Sequence, residues 1–137
     1  MSFHYIAIDF DGTIVQHEFP EIGREVPGAF FWMKEFQKRG AKLILWTMRS
    51  YDGDDEMGDT LTPAIEHCRE NGVEFIGHNE NPLETWSTSH KQYAHLYIDD
   101  AAFGTPLVHQ WQEKPYVDWK VVGPKVVEIL ENGGGYW

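Results

Sequence analysis

The chain predicts an α/β fold, a doubly wound parallel sheet with helices on both faces, and three observations carry that prediction. Short apolar runs at 4–10, 41–47 and 93–98 alternate with longer segments of helical periodicity. The runs are apolar on alternate and intervening positions alike, as in parallel strands covered on both sides. Each also ends in polar residues, at the carboxyl edge where open α/β sheets bind ligands.

The first run, His4-Tyr5-Ile6-Ala7-Ile8, leads directly into Asp9-Phe10-Asp11-Gly12-Thr13. Gly12 permits a sharp exit from the strand, and Thr13 offers a hydroxyl beside backbone amides suited to an anion. Residues 14–26, with Phe19-Pro20 and Gly23, are enough for a flap or short hairpin but not for a cap domain. Pro27 opens a helix to about Arg39 whose apolar face carries Phe30, Phe31, Trp32, Met33 and Phe36, and Gly40 ends it. The second run, Ala41 to Thr47, is followed by Met48 and Arg49. Beyond the acidic loop Asp52-Gly53-Asp54-Asp55-Glu56 a helix is expected with Thr62 as its N-cap and Pro63 at its first position. That loop reads as a solvated turn, because the glycine of a calcium-binding loop is replaced by Met57.

Val73 to Ile76 predicts a short third strand, and residues 77–89 are polar and turn-rich, again without room for an inserted domain. The last run, Tyr93 to Ile98, contains His95 and ends in Asp99-Asp100, with Lys91 just upstream. A terminal helix is expected after Gly123-Pro124, and Gly133-Gly134-Gly135 reads as a flexible tail. The whole of 1–137 is thus expected to form a single domain.

Composition narrows the function. Eleven basic against twenty-two acidic residues give a formal charge of −11, which disfavours a long nucleic-acid groove and favours a small phosphorylated substrate that a local cation could receive. Cys68 is the only cysteine, so no disulfide framework is expected, and its place in a helix suggests packing. There is no apolar stretch of membrane-spanning length and no secretory pattern, so a soluble, cytoplasmic protein is expected, without a membrane partner and with an oligomer possible.

An Asp-x-Asp-Gly element alone also fits an acidic turn after a strand. What separates the readings is that Asp9, Asp11, Thr47, Lys91 and the Asp99-Asp100 pair all fall where one parallel sheet would gather them. With those residues in that order, the chain resembles the haloacid dehalogenase superfamily of phosphatases and phosphotransferases, as a small capless member. The resemblance covers roughly residues 3 to 105. Its four motifs are Asp9-Phe10-Asp11-Gly12-Thr13, Thr47, Lys91 and Asp99-Asp100, and Lys91 departs from the pattern by lying only eight residues before Asp99. The resemblance implies a magnesium-dependent phosphomonoester hydrolase. It implies a carboxylate nucleophile at Asp9, a general acid and base at Asp11 and phosphate grips at Thr47 and Lys91. It also implies magnesium held by Asp9, the Asp11 carbonyl, Asp99 and Asp100.

Electrostatics agree with that chemistry. A carboxylate about 4 Å from a phosphate dianion is repelled by roughly 4 kcal/mol per charge pair at an effective dielectric of 20, so Asp9 needs a shared cation before it can approach phosphorus. Among other residues, His90 beside Lys91 stands out from the seven histidines, which show no paired zinc spacing. Arg49 suits either a substrate phosphate or an ion pair. Trp111, Tyr116 and Trp119 read as core or interface. Two rivals remain. One is a phosphorylation-switch receiver domain, in which the acidic pair comes first and the acceptor aspartate later, the reverse of the order here. The other is a phosphate- or magnesium-binding module on the same fold without turnover.

Overall fold

The computed structural model describes residues 4–54 and 56–132. Strands β1 (Tyr5–Ile8), β2 (Lys42–Leu45), β3 (Phe75–His78) and β4 (Leu96–Ile98) form one sheet in the order β3-β2-β1-β4. All of its pairings are parallel. Helices α1 (Ala29–Lys38), α2 (Leu61–Glu70) and α3 (Trp119–Glu131) flank it, and β5 (Leu107–Val108) pairs antiparallel with β6 (Tyr116–Val117) just before α3. The order is Rossmann-like. The chain steps outward from β1 to β2 to β3 and then returns to place β4 on the other side of β1, so the direction of winding reverses between β1 and β4.

Register explains how the sheet is covered. Ile6 lies beside Leu43 and Leu96, and Ile8 beside Leu45 and Ile98, which puts these six side chains on one face. They pack in a single cluster with Phe30, Met33 and Phe36 of α1, Ala64 and Cys68 of α2, and Val126 and Leu130 of α3. The three helices therefore share one side of the sheet. The other face carries Ala7 and Ile44, both without exposure, and Tyr97. It is covered by the crossover from β3 to β4, residues 79–95. A Cβ on Gly77 would lie 2.8 Å from Pro82 Cδ, the Tyr97 hydroxyl donates to the Gln92 carbonyl, and Asn81 Nδ2 donates to the Tyr93 carbonyl at 3.0 Å.

The expectation of helices on both faces is therefore corrected. Residues 79–95 carry no helix, since the side chains of Asn81, Glu84, Ser87 and Ser89 bond nearby backbone N–H groups. Asn81 Oδ1 accepts from Leu83 N, Glu84 Oε1 from Ser87 N, and Ser87 Oγ from Ser89 N.

Several element boundaries also differ from the expected ones, among them α1, which starts at Ala29 and not Pro27, and β4, which starts at Leu96 and not Tyr93. Helix α2 begins at Leu61, because Asp59 Oδ1 accepts from Leu61 N at 3.0 Å and Thr62 N at 2.9 Å. Pro63 then falls in the first turn, where its missing N–H has no intrahelical partner to lose. The third strand starts two residues late, since Val73 N still bonds Cys68 O at the end of α2. Helix α3 begins at Trp119, capped by Asp118 Oδ1 accepting from Lys120 N, and carries Pro124 inside it. An interior proline costs about 3 kcal/mol. Burying an indole of ~150–250 Å² at ~25 cal/mol per Å² contributes roughly 4–6 kcal/mol, and Trp119 is 1% exposed, so the burial decides where the helix starts.

The flap forms a short hairpin, with Gln16 N bonding Arg24 O and Val26 N bonding Ile14 O, each at 2.8 Å, while its base residues Ile14, Val15 and Val26 sink into the core. In the acidic loop, Asp54 Oδ1 accepts from Glu56 N and Met57 N, and Asp55 lies outside the described residues. The glycine tail at 133–135 also lies outside them. Tyr116 and Trp119 are core, whereas Trp111 is exposed. Among the described residues no helix is long and apolar enough to cross a membrane.

Close approach of α1 and α3 hangs on one residue. A Cβ on Gly123 would sit 2.2 Å from Cδ2 of Trp32, inside the indole ring system. Alanine normally favours a helix interior over glycine by about 1 kcal/mol, but here it forces the helices apart, and overpacking costs ~1–3 kcal/mol. Gly123→Ala is therefore expected to lower the urea midpoint without changing the denaturant slope. A raised midpoint would show that the contact is dispensable.

Candidate functional site

The carboxyl ends of β1 and β4 lie side by side at the winding reversal, and they deliver Asp9, Asp99 and Asp100 to one place. One carboxylate oxygen from each can be chosen so that all lie within 4.8 Å of one another. The strands continue pairing to this point, since Asp9 N donates to Ile98 O at 2.9 Å. Thr13 closes the junction. Its hydroxyl donates to Asp9 Oδ2 at 3.0 Å and accepts from Asp100 N at 3.2 Å, and its carbonyl accepts from Trp119 Nε1 at 2.8 Å. Thr13 is completely buried, so its hydroxyl serves as a clamp between two carboxylate-bearing turns.

Gly12 has a physical reason to be glycine on two counts. Its φ is 84°, and a Cβ there would lie 2.2 Å from His17 Nε2 and 2.3 Å from Asp100 Oδ2. The space it frees lets His17, from the flap, approach Asp100 Oδ2 at 2.9 Å. His17 is a site residue that sequence reasoning missed. No spacing signal marks it, because its partner is far along the chain.

A cavity of about 490 Å³ opens in front of this group, lined by Asp9, Asp99, Trp46, Thr47, Asn79 and His90 among others. Thr47 is where the sequence placed it. Its hydroxyl accepts from Arg49 N at 3.1 Å, and its own N–H donates to Asn79 Oδ1 at 2.8 Å. Lys91 is not brought to this wall. Its ammonium lies 5.7 Å from the centre of the Tyr97 ring and lines a neighbouring cavity, while His90 occupies the Asp9 side.

Asp11 has a different neighbour from Asp9. Both of its oxygens accept from Arg49, Oδ2 from Nε at 2.9 Å and Oδ1 from Nη2 at 2.8 Å, a bidentate pair. The rest of the guanidinium donates to the carbonyls of Pro20, Glu21 and Thr60 at 3.0, 2.8 and 3.2 Å. Arg49 is 2% exposed and also lies over the Phe10 and Phe19 rings. Of the two roles open to Arg49, the structure thus selects the ion pair. The Asp11 side chain stands outside the three-carboxylate group, and proton transfer by Asp11 calls for its release from Arg49.

Crowding of like charge shows in the acidity of the group. Burial first, then the hydrogen bond with Asp100 and repulsion from Asp99 and Asp100, push Asp9 up to about 9, against a smaller opposing effect of the Thr13 hydroxyl. Asp99 is raised as well, again chiefly by burial. Three hard oxygen donors at this spacing are of the kind that could hold a small divalent cation such as magnesium. Cys68 takes no part, since burial pushes its thiol up to about 12.

Two outcomes follow from this geometry. Asp9 binds its proton more tightly folded than unfolded, so in chelator the stability it contributes is full below the ordinary carboxylate value of 3.8 and is lost as pH rises toward about 9. Melting temperature in chelator should fall across that window, and Asp9→Asn should flatten the fall; an unchanged slope in the variant would assign it to other groups. Arg49→Leu leaves Asp11 and three carbonyls without their donor, and losing one partner of a buried pair costs about 3–5 kcal/mol, measurable by denaturant unfolding. A loss under about 1 kcal/mol would show that water replaces the guanidinium.

No family model and no curated protein matches the chain. Among solved structures, that of a conserved protein coded by a locus of Bacteroides thetaiotaomicron is similar at 37% identity and a TM-score of 0.72, over 93% of this chain and 93% of that one. Identity at that level over nearly the full length of both chains reflects more than a shared fold, and the chain belongs to the same family as this conserved Bacteroides protein.

Proposed function

We propose that the protein is a magnesium-dependent phosphomonoester hydrolase of the haloacid dehalogenase type, working through an aspartyl-phosphate on Asp9. The observation that supports it most is the gathering of Asp9, Asp99 and Asp100 around one position, beside a cavity with room for a phosphate and its ester group. Asp9 attacks phosphorus in line with the departing ester oxygen, forming the acyl phosphate. Asp9, Asp99 and Asp100 would hold magnesium, which would supply the positive charge that lets a carboxylate approach a phosphate dianion. Thr13 holds Asp9 Oδ2, which orients the carboxylate. Thr47 and His90 line the cavity as polar contacts for the phosphoryl oxygens, a place the sequence had assigned to Lys91. Asp11 protonates the leaving oxygen and then activates water against the acyl phosphate, after exchanging Arg49 for the substrate.

The Asp11–Arg49 pair also supports a second reading, a phosphate- and magnesium-binding module that accepts phosphate on Asp9 without turning over. If Arg49 never releases Asp11, no base activates water and phosphorylation stops at one equivalent.

One set of measurements separates these. With magnesium, 4-nitrophenyl phosphate should be hydrolysed over many turnovers, and excess chelator should remove the activity. Asp9→Asn should lower the rate at least about a thousandfold while the protein stays folded. Asp99→Asn should weaken magnesium binding about tenfold or more by calorimetric titration. A single stoichiometric burst favours the binding module, and full activity in chelator excludes both.

A further inference from the structure

The helix-free crossover that covers the second face of the sheet holds a feature that the phosphatase chemistry does not use. Gln92 is 2% exposed, and both polar atoms of its side chain, Oε1 and Nε2, lack a hydrogen-bond partner. A buried carboxamide with neither atom paired is uncommon in a folded protein, and it points to a ligand. Gln92 borders a cavity of about 210 Å³ whose lining also includes Asn79, Asn81, Glu84, Ser87 and Thr88. Asn79 belongs equally to the wall of the Asp9 cavity, so the two spaces adjoin.

We propose, resting on the phosphatase reading, that this is the leaving-group subsite and that it takes a neutral polyol or sugar, making the substrate a polyol monophosphate. A carboxamide places an acceptor and a donor side by side, the complement of two adjacent hydroxyls of which one donates and one accepts. Every residue lining this cavity is polar, which suits a hydroxylated ligand. Ser87 and Ser89 already accept backbone N–H bonds, which leaves their hydroxyl protons to donate. Glu80 and Glu84 accept from hydroxyls and repel a second phosphate or a carboxylate, which restricts the ligand to one anionic group. Gln92 is itself among the residues lining this cavity, beside the exposed turn at Ser87–Ser89.

The test compares glycerol 3-phosphate, ribose 5-phosphate, glucose 6-phosphate, fructose 1,6-bisphosphate and adenosine 5′-monophosphate with 4-nitrophenyl phosphate, all with magnesium. At least one polyol monophosphate should exceed the aryl ester in kcat/KM about tenfold, and the bisphosphate and the nucleotide should not. Gln92→Leu, which removes unpaired polar atoms and so should fold, is expected to reduce the polyol-to-aryl ratio at least tenfold, mainly through KM. Thr88→Val, at an exposed position, should reduce it by a smaller factor. Nucleotide preference, or an unchanged ratio in Gln92→Leu, overturns the proposal. If no ester is turned over, the phosphatase reading fails by itself, and the subsite is judged by calorimetric titration of the three polyol monophosphates into the wild-type and Gln92→Leu proteins. Binding that depends on Gln92 then upholds the subsite, and equal or absent binding rejects it.

Discussion

Three carboxylates are held together at the carboxyl ends of two adjacent parallel strands, and much of the surrounding structure can be understood as what makes that tolerable. Two full charges about 4 Å apart repel by roughly 4 kcal/mol at an effective dielectric of 20, comparable to a sizeable part of a small domain's net stability. The protein answers with local hydrogen bonds and one imidazole. Thr13 donates to Asp9, Asp100 accepts contact from His17, and the turn after β4 adds Ala101 N donating to Asp99 Oδ1 at 2.9 Å. These bonds orient the carboxylates, while burial first and the neighbouring carboxylates second make Asp9 hold its proton more tightly than usual.

The strongest positive charge nearby is committed elsewhere. Arg49 ties Asp11, the flap carbonyls of Pro20 and Glu21, and Thr60 at the entrance to α2 into one buried knot. A single guanidinium thereby fixes the relative positions of the turn after β1, the flap and the loop after β2. Its five donors in a rigid fork explain why arginine serves here and lysine would not. The knot also sets the condition on Asp11, since a carboxylate held by both oxygens to that guanidinium is not free to move protons until the pair opens.

Placing every helix on one face has a consequence for the other. With no helix between β3 and β4, the second face is covered by a segment whose polar side chains bond their own backbone, and such a cover packs less completely than a helix would. The neighbouring cavities and the unpaired Gln92 amide both belong to this cover. Variation of this segment could alter what enters the Asp9 cavity without disturbing the strands that hold the carboxylates.

Sequence alone determined the four strands of the parallel sheet, though not the β5–β6 hairpin, and the meeting of Asp9 with Asp99-Asp100, because apolar runs that end in carboxylates are local patterns and winding rules bring their ends together. Thr47 lies on the wall of the Asp9 cavity for the same reason, as the residue at the end of a run. Helix starts at 61 and 119 were not legible, since an Asp cap and a buried indole overrode the proline signals at 63 and 124. Nor was the partner of Arg49, the approach of His17 to Asp100 or the exchange of Lys91 for His90 on the cavity wall. Each of these depends on side-chain direction or on residues tens of positions apart. Such pairings leave no periodicity in the chain, and only the packing of the flap, the loop after β2 and the helix-free crossover around the strand ends decides them.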